Sequence, residues 1–300
     1  MKKIFISLMG GIGNQMFQYA TARALALRHG AEVVVDSWSG FVRDYQYRRK
    51  YELNSVPIQG RIATPFERLP IWLYRWRYRS GEIAVPFLSR SWYGTFITDI
   101  TETQYAFLPE LEQVQIDCPT WLVGYWQSPL YFQDFAEQIR SELMPPRPTE
   151  KKYLVLGKKM RDLESVALGV RIYEESSTPE AHSKDGKVKS TEAIREAVMN
   201  LRSEYPNAFF FVFCTHRSKI LNEVELPENV FFVTSDSGYD STIGSLWLMT
   251  QCKHHIITNS SYYWWGAWLS LVNYNQERQR ILAADNFINT DSICSSWERF

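Results

Sequence analysis

The sequence predicts an α/β protein of two Rossmann-like domains facing across a cleft, on three observations. A short apolar run, a glycine-rich turn and an amphipathic helical pattern follow one another at the start of the chain. Strand and helix patterns alternate again in the second half, and a proline-rich break, Met144-Pro145-Pro146-Arg147-Pro148, lies between. At 300 residues the chain exceeds one ordinary core, so two domains of about 150 residues each are expected. Their bounds are set at 1–146 and 149–300.

Residues 3–8 form the first apolar strand. The loop Gly10-Gly11-Ile12-Gly13-Asn14-Gln15 follows, and residues 15–28 carry Met16, Tyr19, Ala20, Arg23, Ala24 and Leu27 at helical spacing. Gly30 suits a helix stop, and residues 32–36, ending at Asp36, complete a βαβ unit. The next hundred residues are less regular, with a strand ending at Val123-Gly124-Tyr125-Trp126 and an amphipathic helix over 131–143. Past the break come a strand at 165–170, a helix at 191–204, strands at 209–213 and 230–233, a helix at 243–251, a buried strand at 256–258 and an aromatic-rich helix at 261–271.

Composition narrows the function. Lys plus Arg equals Asp plus Glu at 33 each, which gives no chain-wide pull toward nucleic acid or anionic lipid. The four cysteines show no C-x-x-C spacing, which fits a reduced cytoplasm and not a zinc site. His254 and His255 are adjacent, so on a strand they point to opposite faces and do not share a metal. The apolar start is cut short by the glycine loop, and no run reaches the roughly 18 apolar residues that span a bilayer.

Three stretches carry a resemblance. They are Gly10-Gly11-Ile12-Gly13-Asn14-Gln15-Met16-Phe17-Gln18-Tyr19-Ala20, then Gly124-Tyr125-Trp126-Gln127-Ser128, then Leu248-Met249-Thr250-Gln251-Cys252-Lys253-His254 running into Asn259-Ser260-Ser261-Tyr262-Tyr263-Trp264-Trp265-Gly266-Ala267-Trp268-Leu269. In this order, with smaller echoes at Tyr51-Glu52-Leu53 and Ser296-Trp297, the chain resembles the bacterial α-1,2-fucosyltransferases, glycosyltransferase family eleven. The resemblance implies a GT-B fold, an inverting and metal-independent transfer, GDP-fucose as donor and a galactoside as acceptor. The acceptor falls to the first domain and the nucleotide sugar to the second. No cofactor is implied beyond the donor.

One motif departs from the family. Where the family has H-x-R-R-x-D, this chain reads Gly169-Val170-Arg171-Ile172-Tyr173-Glu174, and where a later strand ends in an aspartate pair it reads Cys214-Thr215-His216-Arg217. In related fucosyltransferases the arginine contacts the donor diphosphate, while the histidine and the later aspartate help to hold guanine. The phosphate side is kept here and the base side is changed.

The chemistry of the residues agrees with that division. Charge grows on the leaving diphosphate, and without a metal a planar arginine such as Arg171 and backbone donors must meet it. Asn259-Ser260-Ser261, between a strand and a helix, offers capping groups and a helix N-terminus for phosphate. The donor-side candidates are Gly11, Gly13, Asn14, Gln15, Gly169, Arg171, Thr215, His216, Asn259, Ser260 and Ser261. Asp36, Tyr125, Trp126 and Gln127 are the acceptor-side candidates. The candidate bases are Glu174, which takes the motif's carboxylate place, Glu175 next to it, and Asp36 at the end of its strand. Trp265 and Trp268 read as core.

The segment Trp72-Leu73-Tyr74-Arg75-Trp76-Arg77-Tyr78-Arg79 interleaves basic and aromatic residues. It is expected to touch the inner face of the membrane, where a lipid-linked oligosaccharide would be met. Residues 182–189 read as a loop beside the donor site. The alternatives are the same chemistry with another nucleotide sugar, a glycan- or nucleotide-binding homologue without catalysis, and a dinucleotide-dependent oxidoreductase, which the absent G-x-G-x-x-G spacing disfavours.

Overall fold

The computed structural model describes residues 2–300 apart from 43, 46, 69–86, 93–94, 103, 172–187, 218, 275–277 and 290. The basic and aromatic stretch at 72–79, Glu174, Glu175 and most of the 182–189 segment lie outside the described residues. The chain divides into two compact units, Met1–Leu143 with Asn289–Ser292, and Met144–Ile288 with Ile293–Phe300.

In the first unit, β1 (Lys3–Ser7), α1 (Ile12–His29) and β2 (Glu32–Asp36) form the βαβ start, followed by β3 (Arg61–Ile62), β4 (Phe87–Trp92), β5 (Thr95–Thr101), β6 (Thr120–Val123) and α2 (Ala136–Leu143). Ile4, Phe5, Ile6, Val33, Val34 and Val35 are all buried, as strands covered on both faces require. Phe5 stacks on Trp121 at 4.7 Å between centroids, across the β1–β6 pairing. The α1 helix ends where Gly30 turns left-handed, φ 59°, and its N–H reaches the carbonyls of Ala26 and Leu27. Arg23 grips Glu142 of α2 through its Nε and Nη2, and the Tyr19 hydroxyl donates to the same carboxylate.

Strand order in this sheet is β3-β2-β1-β6-β5-β4, parallel throughout except that β4 runs against β5. The chain therefore builds outward from β1 on one side and returns to its other side with β6. Between β1 and β6 lies the switch point at which such sheets open a crevice beyond their carboxyl ends.

The second unit contains α3 (Lys151–Asp162), β7 (Ser165–Gly169), α4 (Thr191–Glu204), β8 (Phe209–Phe213), β9 (Val230–Val233), α5 (Thr242–Met249), β10 (His254–Ile257), α6 (Ser261–Ser270), β11 (Ile281–Ala283) and β12 (Glu298–Arg299). Its order, β12-β11-β10-β7-β8-β9, is parallel throughout. Ile194, Ala197, Val198 and Leu201 of α4 recur at helical spacing and bury against Val166, Leu168, Phe210 and Val212. The second switch point lies between β7 and β10, since β8 and β9 extend one way and β11 and β12 the other.

Tyr263, Trp264, Trp265 and Trp268 of α6 are buried in the core, as expected for Trp265 and Trp268. Trp264 stacks on Trp268 at 5.7 Å and packs against Trp297 at 5.4 Å. This belt fixes α6 against the sheet, and its N-terminus with it. Among the described residues, no helix is long and apolar enough to cross a membrane.

Several elements differ from expectation. The first helix starts at Ile12, three residues early, because Gly11 serves as its extended N-terminal cap position. Over 131–143 regular helix starts only at Ala136, after two 3-10 turns that begin at Pro129 and Gln133. The α3 helix and the β4–β5 hairpin were not anticipated. Tyr153, Leu156, Gly157 and Met160 of α3 do carry a buried stripe.

A close approach marks the end of β7. A side chain at Gly169 would place its Cβ 2.5 Å from Cγ of the Tyr263 ring, which lies over the strand end and sends its hydroxyl to the Val170 carbonyl at 3.1 Å. Gly169→Ala is therefore expected to destabilise the protein by about 1–3 kcal/mol through overpacking. Denaturant unfolding measures this, and an unchanged midpoint would contradict it.

Candidate functional site

At the β7–β10 switch point three residues are tied together. The Thr258 N–H and hydroxyl both donate to the Gly169 carbonyl, at 3.0 and 3.1 Å, and the Arg171 N–H donates to Thr258 Oγ1 at 2.7 Å. Arg171 is thereby anchored one residue from the first turn leading into α6. Asn259 follows Thr258, is 8% exposed, and its Nδ2 has no partner among the described residues. Ser260 occupies the N-terminal cap position with extended backbone, and its side chain makes no capping hydrogen bond. The first turn of α6 holds no acidic residue. The unpartnered Asn259 amide and a helix N-terminus thus lie where the sheet opens, next to the strand end that leads into Arg171, an arrangement suited to an anion.

The other donor-side candidates of this unit fall into two groups. Gly169 serves packing, since its carbonyl is taken by Thr258 and its missing side chain seats Tyr263. Thr215 and His216 follow β8, one strand away from β7. His216 Nδ1 lies 3.2 Å from Asp236 Oδ1, and the Arg217 N–H reaches the same carboxylate at 3.3 Å. Asp236, in the turn after β9, has no motif around it and was missed in the sequence.

The first unit also gathers polar groups at its switch point. Side-chain amides stitch the loop after β1 to the turn after β6. Gln18 accepts from the Met9 N–H at 3.0 Å and donates to the Gly124 carbonyl at 2.9 Å, while Gln127 donates to Asn14 Oδ1 at 2.8 Å. Gln15 is fully buried, donates to the Gly10 and Lys50 carbonyls and accepts from the Glu52 N–H, so it holds the loop closed. Gly13 is also buried. Gly11 and Asn14 stay partly exposed, and a Cβ at Gly11 would meet the Arg49 guanidinium at 3.8 Å. Arg49 escaped the sequence reading because it stands in the irregular stretch after β2.

Two acceptor-side candidates turn out to be structural. Asp36 is wholly buried, and its Oδ1 accepts from the Trp38 and Ser39 N–H groups at 3.1 and 3.0 Å, holding the turn after β2. Trp126 is fully buried with its ring edge-on to Tyr131 at 5.5 Å. Tyr125 and Gln127 remain partly exposed.

A carboxylate that the sequence reading passed over lies beside them. Glu102 follows β5, and its two oxygens accept the Tyr125 N–H at 2.6 Å and the Trp126 N–H at 3.0 Å. Trp126 takes the left-handed conformation, φ 55°, to present that amide, a cost for a bulky residue. Burial pushes the Glu102 carboxyl up to about 7 against the opposing pull of the two amides.

A model of the family described as glycosyl transferase family 11 matches residues 78–294. The chain belongs to that family. It is 27% identical over 288 residues to the O-antigen biosynthesis glycosyltransferase WbnK of Escherichia coli, covering 89% of this chain and 90% of that one. To an alpha-1,2-colitosyltransferase of the same organism it is 25% identical over 285 residues, covering 92% and 89%. Among solved structures, the NodZ alpha-1,6-fucosyltransferase soaked with GDP-fucose superposes with a TM-score of 0.51 at 16% identity, covering 89% of this chain and 92% of that chain. The fold is thus the two-unit α/β arrangement of the GT-B class, and the protein is a glycosyltransferase. Family membership agrees with the motifs at residues 10–20, 124–128, 248–254 and 259–269.

Because the Glu102 pKa is raised in the folded state, its contribution to stability is fully present below the unfolded value near 4.5 and is lost as pH rises through about 7. Relative to Glu102→Gln, the wild type should lose stability between pH 5 and pH 8. Urea unfolding at several pH values checks this, and parallel stability curves would contradict it.

Proposed function

We propose that this family 11 glycosyltransferase transfers fucose from GDP-fucose to a galactoside-type acceptor in the synthesis of a bacterial surface glycan. The observation that carries the reading is the buried, unpartnered Asn259 Nδ2 at the uncapped start of α6, beside Arg171. A diphosphate supplies the oxygens that such a cradle lacks. As the bond to the sugar breaks, charge accumulates on those oxygens, and the amide, the first N–H groups of α6 and the guanidinium meet it. In this reading, a water-excluding set of fixed donors replaces a metal, and the hydroxyl attacks from the opposite face with inversion.

The names of the relatives support the substrate classes. One acts in O-antigen biosynthesis, another transfers colitose in an α-1,2 linkage, and NodZ was soaked with GDP-fucose. A lipid-linked acceptor met at the inner membrane face rests on the basic and aromatic composition of residues 72–79.

A second reading keeps the phosphate cradle and changes the donor. It is favoured by the Tyr263 ring, which fills the space that a side chain at position 169 would take, and by His216 paired with Asp236 where the family carries an aspartate on β8.

Thermal unfolding with GDP, UDP, CMP, ADP and dTDP tests both. A ligand at about one hundred times its Kd adds about 2.7 kcal/mol to the folded state. GDP should raise the melting point selectively, and Arg171→Ala and Asn259→Ala should each abolish most of the rise. Selectivity for another nucleotide would establish the second reading, and a rise unaffected by either variant would reject the cradle. Transfer should also persist in excess EDTA, and loss restored by added Mg²⁺ would overturn the metal-free account.

A further inference from the structure

We propose that Glu102 is the base that takes the proton from the acceptor hydroxyl during transfer. The inference rests on the glycosyl transfer proposed above and adds to it the missing proton acceptor. Transfer needs such a group: the hydroxyl proton passes to a Glu102 oxygen, the freed oxygen pair bonds to the anomeric carbon, and the bond to the diphosphate breaks with its electron pair leaving on phosphate.

The geometry around Glu102 is built for a carboxylate held in one orientation. It is the first residue past β5, at the carboxyl end of the parallel strands, and β5 pairs with β6 up to Thr101 and Val123. The chain after β6 then folds over it. Gly124 has φ 157°, and any side chain there would collide with the Glu102 Cβ. Trp126 turns left-handed, and the amides of Tyr125 and Trp126 each take one carboxylate oxygen. Each oxygen keeps a second lone pair. Glu102 is partly exposed, as are Tyr125 and Gln127 on the same turn, so a sugar hydroxyl has access to a carboxylate that cannot rotate away.

Burial then sets its proton affinity. A carboxyl raised to about 7 is about half ionised at neutral pH, and its charged form is basic enough to accept a proton in the transition state. The phenols of Tyr125 and Tyr131 are the titratable groups that feel its charge, with Asp291 and Glu110 acting on Tyr131, and Asp44, Tyr47 and Tyr105 on Tyr125. The other carboxylates of this unit's switch region are less suited. Asp36 is enclosed, and Glu52, whose carboxyl burial raises as well, has the Arg49 guanidinium pulling it back toward the charged form.

The test is transfer from GDP-fucose and from UDP-galactose to lactose and to para-nitrophenyl β-galactoside, with wild type, Glu102→Gln and Glu102→Asp, beside nucleotide-induced melting shifts. Glu102→Gln should lower kcat by at least about 100-fold, with the melting shift intact. The wild-type rate should fall on the acid side near pH 7, a limb that the residual rate of the variant lacks, and Glu102→Asp should recover part of kcat. If Glu102→Gln keeps kcat within about three-fold and retains the limb, the assignment is wrong. Loss of rate together with the melting shift, with no recovery in Glu102→Asp, would reduce Glu102 to a holder of the turn. Wild-type inactivity on every pair would strike down the donor and acceptor reading itself, and this inference with it.

Discussion

The divergence of β7 and β10 is the constraint on which the second unit depends. Two parallel strands that lie side by side send their chains to opposite edges of the sheet, and it is beyond the carboxyl ends of such a pair that α/β sheets open a crevice. Thr258 ties the two ends together by donating to Gly169 and accepting from Arg171. Everything proposed for the donor follows from that tie. It fixes where Arg171 leaves the sheet and where Asn259 enters the first turn of α6, and the tryptophan belt of α6 keeps that turn in place. The unpaired Asn259 amide is a cost in a protein with no anion bound, of order 1–3 kcal/mol for a buried polar group, and a diphosphate would repay it.

The first unit solves a related problem with side-chain amides. Gln18, Asn14 and Gln127 lace the glycine loop and the start of α1 to the turn after β6, while Gln15 ties the same loop to Lys50 and Glu52. The same turn is bent into a left-handed conformation around Glu102. Strain of this kind, of order 1–3 kcal/mol per residue, persists where the surroundings enforce it and clusters at functional sites. Here the enforcing partners are two main-chain amides donating to one carboxylate, the stronger, charge-assisted kind of hydrogen bond whenever Glu102 is ionised.

Much of this was legible in the sequence because it is local. The βαβ start, the long apolar strands of the second unit and the Asn259-Ser260-Ser261 junction all announce themselves by periodicity and by residue type at strand ends. What was hidden depends on pairing between distant segments. Nothing in the run around Glu102 indicates that residues 125 and 126 will fold over it, and Asp236 becomes a partner of His216 only because β9 lies beside β8. Conversely, Asp36 and Gln15 have the right chemistry for a ligand but spend it on turns, which the sequence does not reveal. Gly169 is similar. Read as a lost recognition residue, it proves to be the position that lets Tyr263 lie against the strand.

The most direct measurement of the central claim is a crystal structure of the protein with GDP. The account predicts the diphosphate at the start of α6, with Asn259 Nδ2 and the first amides of the helix within hydrogen-bonding distance of its oxygens and the Arg171 guanidinium beside them. A nucleotide whose phosphates sit elsewhere in the molecule, with Asn259 and Arg171 untouched, would contradict it.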